Sequence, residues 1–414
     1  MSNEKITKLQ EGVLSAGDNI LRQTASAKAV PKENIIKKKI LFVTRPIAPP
    51  WDEASKNMAY QLAINVAKIN SNFEIHLMTK GILSGLPKNI IQHPIYTSAK
   101  NDFTFSQKIR SLFFQWKMKN KFDIVHYFFT PSKFNSLVIK KFLYPKKSKT
   151  IQTIATLRED LMTKKEIKNN MFGDILVTYS NYTKKRLKDL GFANVQHIYP
   201  GINLALFAPQ EKKPSLLASC NFAATNFIIG FAGEYVRLGG VDNIVDSFSE
   251  IEKKIPEARL FLNVRLKNKK DALKKEEIVS RLKKLRLLEK VSFEENVDFT
   301  KFSMGDCFNV YDVALFPVHN MKGKFDVPLV VPEAMACQKP VILSDIPILR
   351  EFTNNNNTVI IKKKNTEELT RAILDLYNNS EKRAEIASNG MHFARRNFNI
   401  EFIAEEYNDL YDKL

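Results

Sequence analysis

Between Lys324 and Ile342 the sequence reads Lys-Phe-Asp-Val-Pro-Leu-Val-Val-Pro-Glu-Ala-Met-Ala-Cys-Gln-Lys-Pro-Val-Ile. Asp326 ends a loop, Pro328 suits the first turn of a helix, and Glu333 falls one turn inside it. That spacing sets a helix N-terminus and two carboxylates beside one another. The unpaired N–H groups of a helix start attract phosphate, and carboxylates accept hydrogen bonds from sugar or ribose hydroxyls. A ligand that carries both phosphate and sugar would use the whole arrangement.

Three further segments hold chemistry-bearing residues. His126 falls in the apolar run Phe122 to Phe128, where it is either a polar contact for a sugar or a packed core residue. The loop Pro49-Pro-Trp-Asp-Glu-Ala-Ser-Lys-Asn57 presents Trp51, Asp52, Glu53 and Ser55 ahead of a helical pattern. Asp52 and Glu53 there either cap the helix or meet an acceptor hydroxyl. Ile109, Leu112, Phe113 and Trp116 form an apolar stripe among Lys108, Arg110, Lys117 and Lys119, with Phe114 and Met118 off the stripe. Such a stripe is either core or a membrane-surface element.

The elements that must position these residues alternate regularly. Apolar runs at Lys39 to Thr44, Phe73 to Thr79, Phe122 to Phe128, Thr150 to Leu157, Asp174 to Ser180 and Val195 to Pro200 are separated by helical patterns. A second series runs Phe227 to Gly233, Ala258 to Val264, Val291 to Glu294, Val313 to Pro317, Pro340 to Ser344 and Thr358 to Lys362. This alternation predicts an α/β protein made of two doubly wound parallel sheets covered by helices on both faces. Ligands of such sheets bind at the carboxyl ends of the strands, here in a cleft between the halves. The predicted organisation is a flexible extension over 1–38, one Rossmann-like domain over 39–205, a second over 206–385, and helices over 386–414 that pack back on the first.

Composition excludes several classes. A chain of 414 residues with 44% hydrophobic and 26% charged residues is an ordinary globular mixture. No run approaches the roughly 18 apolar residues of a membrane-spanning helix, and the N-terminus lacks a signal-peptide core, so a cytoplasmic location is expected. Cys220, Cys307 and Cys337 are widely spaced and suggest buried thiols rather than disulfides or zinc. No DxD, GxxxxGK[ST], GxGxxG or GxSxG occurs, and no metal site is expected. Residues 1–200 hold 33 Lys/Arg against 14 Asp/Glu, whereas 201–414 hold 31 against 30, so the net +20 lies almost wholly in the first half. A basic N-terminal face with an anionic partner follows, an acidic membrane surface among them. The basic runs lack the interleaved aromatics of an RNA-binding pattern, and no nucleic-acid partner is expected.

The segment around Glu333 resembles the retaining glycosyltransferases of family 4, which have the GT-B architecture of two Rossmann-like lobes. Pro49 to Asn57, Phe122-Asp-Ile-Val-His126, Ser180-Asn181 with Ile198-Tyr-Pro-Gly-Ile202, and Gly230-Phe-Ala-Gly233 leading to Gly239-Gly-Val-Asp242 agree in order and spacing over roughly residues 39–414. The resemblance implies a metal-independent transfer from a nucleoside diphosphate sugar, itself a substrate and not a cofactor, to a glycan or lipid-linked acceptor held by the first lobe. It places Glu333 on the donor ribose, Val327 and Leu329 beside the donor, and His126 at the sugar. Family members usually carry a Glu on the donor sugar where this chain has Phe325, so Asp326 is taken as its substitute. They also place an Arg and a Lys on the donor diphosphate where this chain has Glu234 and Gly239. Arg237, Arg265 and Lys267 are the candidates to replace those cations, which the departing diphosphate needs. The loop at 49–57 has Ala54 and Ser55 where relatives have glycines. These departures also fit a catalytically silent member that binds sugar or nucleotide.

Overall fold

The computed structural model describes residues 37–49, 53–97, 103–129, 132–294, 301–354 and 356–414. Seven parallel strands form the first sheet: β1 (Lys38–Ile47), β2 (Phe73–Thr79), β3 (Ile90–His93), β4 (Ile124–Phe128), β5 (Lys149–Ile154), β6 (Ile175–Thr178) and β7 (Val195–His197), in the order β3-β2-β1-β4-β5-β6-β7. Six more form the second: β8 (Phe227–Glu234), β9 (Ala258–Arg265), β10 (Val291–Glu294), β11 (Val313–Phe316), β12 (Val341–Ser344) and β13 (Val359–Ile361), ordered β10-β9-β8-β11-β12-β13. Strand order reverses between β1 and β4 and between β8 and β11. These are the switch points at whose carboxyl ends a doubly wound sheet opens a crevice.

Burial on both faces explains why the strands read as continuous apolar runs. Along β1, Ile40 and Phe42 enter a core shared with helix Ala54–Ile69, while Leu41 and Val43 enter another beneath helix Phe105–Lys117. β3, which the sequence pattern does not predict, is a four-residue edge strand whose exposed Ile91 and partly exposed Gln92 and His93 break the apolar signature. The three cysteines are unpaired and buried.

Beyond residue 366 the chain is helical in three segments. Helix Ser380–Phe398 stays on the second lobe, where Ala394 and Phe398 join a core with Val331 and Met335. Crossing to the first lobe occurs at Asn399, later than the start at 386 expected from sequence. There Ile202 donates its N–H to Phe398 O at 2.7 Å and Ile400 donates to Ile202 O at 3.0 Å. Helix Ile400–Asp412 then buries Ile403, Tyr407, Leu410 and Tyr411 in the core of β1 and helix Ala54–Ile69. The extension expected over 1–38 lies, up to residue 36, outside the described residues.

No helix among the described residues is long and apolar enough to cross a membrane.

Candidate active site

The carboxyl ends of β8 and β9 place Glu234 and Arg265 at the same level of the second sheet. Glu234 is 3% exposed and pairs with Arg237 at 2.7 Å and Lys267 at 2.9 Å; Arg265 and Lys324 stand at 3.8 Å. Burial would raise its pKa, but Lys324, Lys267 and Arg237 together bring it below the ordinary carboxylate value. Four cations around one acid leave a local excess of positive charge at the mouth of the sheet, which is the electrostatic requirement for holding a diphosphate. Lys324, which sequence reasoning did not single out, is the most enclosed of the four, at 16% side-chain exposure. Desolvation takes its pKa down to about 8. Its signal in the sequence was its place two residues before Asp326 in the loop already flagged.

The adjoining turn explains why a cation does not occupy position 239. Gly239 and Gly240 have φ of +72° and +102°, a left-handed conformation that disfavours side chains. A Cβ at 239 would also come within 2.6 Å of His319 Nδ1, and one at 240 within 2.6 Å of Pro317 O. The turn delivers the chain into helix Val241–Glu252, and the cations at this end of the sheet are Arg237 and Lys324, both beside Glu234.

Glu333 lies within the short helix Val330–Ala336, two residues beyond the expected start, although its first turn begins with Val331 N–H bonding Pro328 O at 2.9 Å. Burial raises the Glu333 carboxyl to about 7, opposed by Lys324 and Arg265, so it belongs electrostatically to the cation cluster. Val327 is fully buried and Leu329 packs against the same core, so any contact of Val327 with a ligand runs through its backbone.

Two expected site residues are placed differently. His126 is 0% exposed: Nδ1 lies 2.7 Å from the Tyr411 hydroxyl, Nε2 lies 2.6 Å from Thr153 Oγ1, and the ring lies against Phe128. Burial holds its pKa well below the ordinary value. A neutral imidazole with both nitrogens engaged joins the last helix to the sheet, and it does not face a cleft. Asp326 is 4% exposed and accepts a hydrogen bond from Ser180 Oγ at 2.7 Å, while its N–H bonds Ala155 O at 3.0 Å. Its carboxyl therefore ties the lobes together and is not turned to a sugar; burial raises it to about 7.

The same junction holds Glu351, which the sequence did not flag. Its carboxylate accepts the N–H groups of Asn181 at 2.5 Å and Tyr182 at 2.9 Å, the free donors at the start of helix Asn181–Asp189 in the other lobe. Thr156 Oγ1 adds a bond to Lys324 O at 2.7 Å. On the acceptor side, Glu53 stands at the N-cap position of helix Ala54–Ile69 but makes no cap bond; both its oxygens accept from Arg45 Nη1 at 2.6 Å. The capping role expected for Glu53 is thus replaced by an ion pair. Ser55 is partly exposed in the first helical turn, and Trp51 and Asp52 lie outside the described residues.

Two doubly wound parallel lobes, joined by a helix that returns to the first, define the GT-B class of glycosyltransferase folds. Residues 212–393 match the family described as glycosyl transferases group 1. Over 260 residues the chain is 26% identical to an uncharacterized glycosyltransferase of Methanocaldococcus jannaschii, covering 60% of this chain and 64% of that relative. The chain therefore matches under two thirds of that relative's length. Among solved structures it is similar to sucrose-phosphate synthase of Thermosynechococcus elongatus, with a TM-score of 0.71, 17% identity and coverage of 91% of this chain and 99% of that one. Anabaena HepE in complex with UDP and glucose gives a TM-score of 0.70 at 16% identity, covering 91% and 100%. At these identities the structural likeness speaks for the fold.

Proposed function

We propose that the protein is a retaining glycosyltransferase that moves a sugar from a nucleoside diphosphate to a glycan or lipid-linked acceptor. The observation that carries this reading is the ring of Arg237, Arg265, Lys267 and Lys324 around Glu234 beside Glu333. In it the diphosphate meets the cations and the ribose hydroxyls donate to Glu333. During transfer the anomeric carbon–oxygen bond to the diphosphate breaks and a bond to the acceptor oxygen forms on the same face. The acceptor proton passes to the departing diphosphate oxygen, so no protein nucleophile is required. The cations stabilise the charge that collects on the leaving group, which gives the site its own electrostatic means of departure without a metal. The excess cations of the N-terminal half favour an anionic acceptor.

UDP is the first nucleotide to try, because HepE has been crystallised with UDP and with UDP-glucose. A thermal-shift screen against UDP, GDP, ADP and their sugars should show stabilisation by one nucleotide family, lost in Glu333→Ala and sharply reduced in Arg237→Ala. No shift with any of them would sink the reading.

A second reading follows from Glu234 itself, since a carboxylate now neutralises part of the charge that a diphosphate needs. On it the protein binds nucleotide or sugar without turnover. Hydrolysis or transfer from any stabilising donor separates the two.

A further inference from the structure

Helix Phe105–Lys117 is mounted with its polarity inverted. Gln107, Ser111 and Gln115 are buried, whereas Phe105, Ile109, Phe113 and Trp116 are 76%, 50%, 61% and 61% exposed. The reading of this stripe as core holds for Leu112 alone, which packs against the sheet with Phe114 and Met118, while Ile109, Phe113 and Trp116 face outward. Next to it, helix Lys133–Val138 and the turn Ile139–Leu143 bury Ser136, Ile139 and Leu143 and expose Phe134, Leu137 and Phe142 at 66%, 62% and 54%. Both elements sit on one face of the first sheet, over the core of Leu41, Val43 and Tyr127, and Lys119 Nζ joins them by donating to Phe142 O at 3.1 Å. Side chains of this size in solvent form an apolar surface that calls for a partner.

Charge identifies the partner. Residues 103–147 contain ten Lys or Arg and one acid, Asp123, whose carboxylate already accepts the Lys39 N–H at 2.7 Å. Lys108, Arg110, Lys117, Lys140 and Lys141 are exposed around the apolar side chains. A second copy of the chain would set one such cationic surface against another. A nucleic acid would leave Ile109 and Leu137 without a counterpart. We infer that this two-helix face docks on an anionic lipid bilayer, with the aromatic and aliphatic side chains entering the headgroup boundary and the Lys and Arg residues on the phosphates. The surface begins close to the acceptor loop: Lys108 Nζ and the Arg45 guanidinium lie 5.8 and 6.0 Å from the Phe103 ring, and Arg45 holds Glu53. Docking in this way would bring a lipid-linked acceptor to the first lobe. The inference stands on the surface and not on the donor site.

The test is co-sedimentation of the full chain with phosphatidylcholine vesicles and with vesicles containing about 30% phosphatidylglycerol, a composition that gives an anionic surface potential. Binding to the anionic vesicles alone is expected, with a blue shift of Trp116 emission read as the difference between wild type and Trp116→Phe. The triple variant Ile109→Ser, Phe113→Ser, Trp116→Ser and the triple reversal Lys117→Glu, Lys140→Glu, Lys141→Glu should each weaken binding at least about tenfold. All six residues are exposed, and a melting temperature within a few degrees of wild type, measured without ligand, reports that each variant is folded. Indifference to both vesicles, or equal binding by wild type and both variants, would overturn the inference. So would light scattering that shows a dimer converted to monomer by the serine variant, because the face would then join two copies.

Discussion

Glu234 sits at the centre of the cation cluster at the mouth of the second sheet. It pairs with Arg237 and Lys267 and stands near Arg265 and Lys324, so it holds these cations together and, on the proposed reading, competes for them with a diphosphate. Glu234→Gln should therefore lower the melting temperature of the free protein and tighten nucleotide diphosphate binding by roughly 3- to 10-fold, the scale of one charge-assisted bond screened by solvent. Unchanged affinity by calorimetry would show that the ring does not hold the diphosphate. Asp326 yields a prediction of different sign. Its carboxyl is raised from 3.8 to about 7 in the fold, so its contribution to stability is complete below about pH 4 and is lost as pH rises through about 7. Asp326→Asn stays neutral throughout, so it should gain on wild type between pH 5 and pH 8. A constant difference in melting temperature across that range would refute the assignment. At this scale the sequence was only partly legible. Residue types picked out Arg237, Arg265, Lys267 and Glu333 as donor-binding candidates, and the structure brings them near one another, but the orientation of a side chain at a strand end is set by tertiary packing. His126 and Asp326 were therefore expected in a cleft and are found satisfied in the interior.

Helix Asn181–Asp189 illustrates what an element contributes. Its cap residue Ser180 accepts the Thr183 N–H at 3.0 Å and donates to Asp326, while Glu351 accepts the next free donors. Two carboxylates of the second lobe thus terminate a helix of the first, and its positive end is matched from across the junction. Removing Glu351 by an Ala substitution should cost about 1 kcal/mol, a typical capping loss, and should enlarge the radius of gyration measured by small-angle scattering. An unchanged radius with the same stability loss would mean that the cap is local and does not hold the lobes. No pattern in the sequence exposes Glu351, because its partner is a backbone 170 residues away. The stripe at 109–116 was visible but its direction was not, since a helical period shows that one face is apolar without saying which way that face is turned.

For the molecule as a whole, the strand–helix alternation made both sheets readable, and only the short edge strand β3 escaped. The lobes are also bound by what returns: Tyr411 reaches His126 across 285 residues of chain. Tyr411→Phe leaves a buried ring nitrogen without its partner and should destabilise the protein by about 1–3 kcal/mol. If urea unfolding shows no loss, water or a neighbouring side chain must replace the hydroxyl. The same helix has a consequence for biosynthesis. A ribosome that has finished β4 has made a sheet whose inner face still lacks Ile403, Tyr407 and Tyr411, and the entire second lobe must be translated before they emerge. Until then Phe42 and Phe128 lack part of the cover they have in the finished fold, and an incompletely covered sheet of this kind is the form in which a chain is open to chaperones and to aggregation.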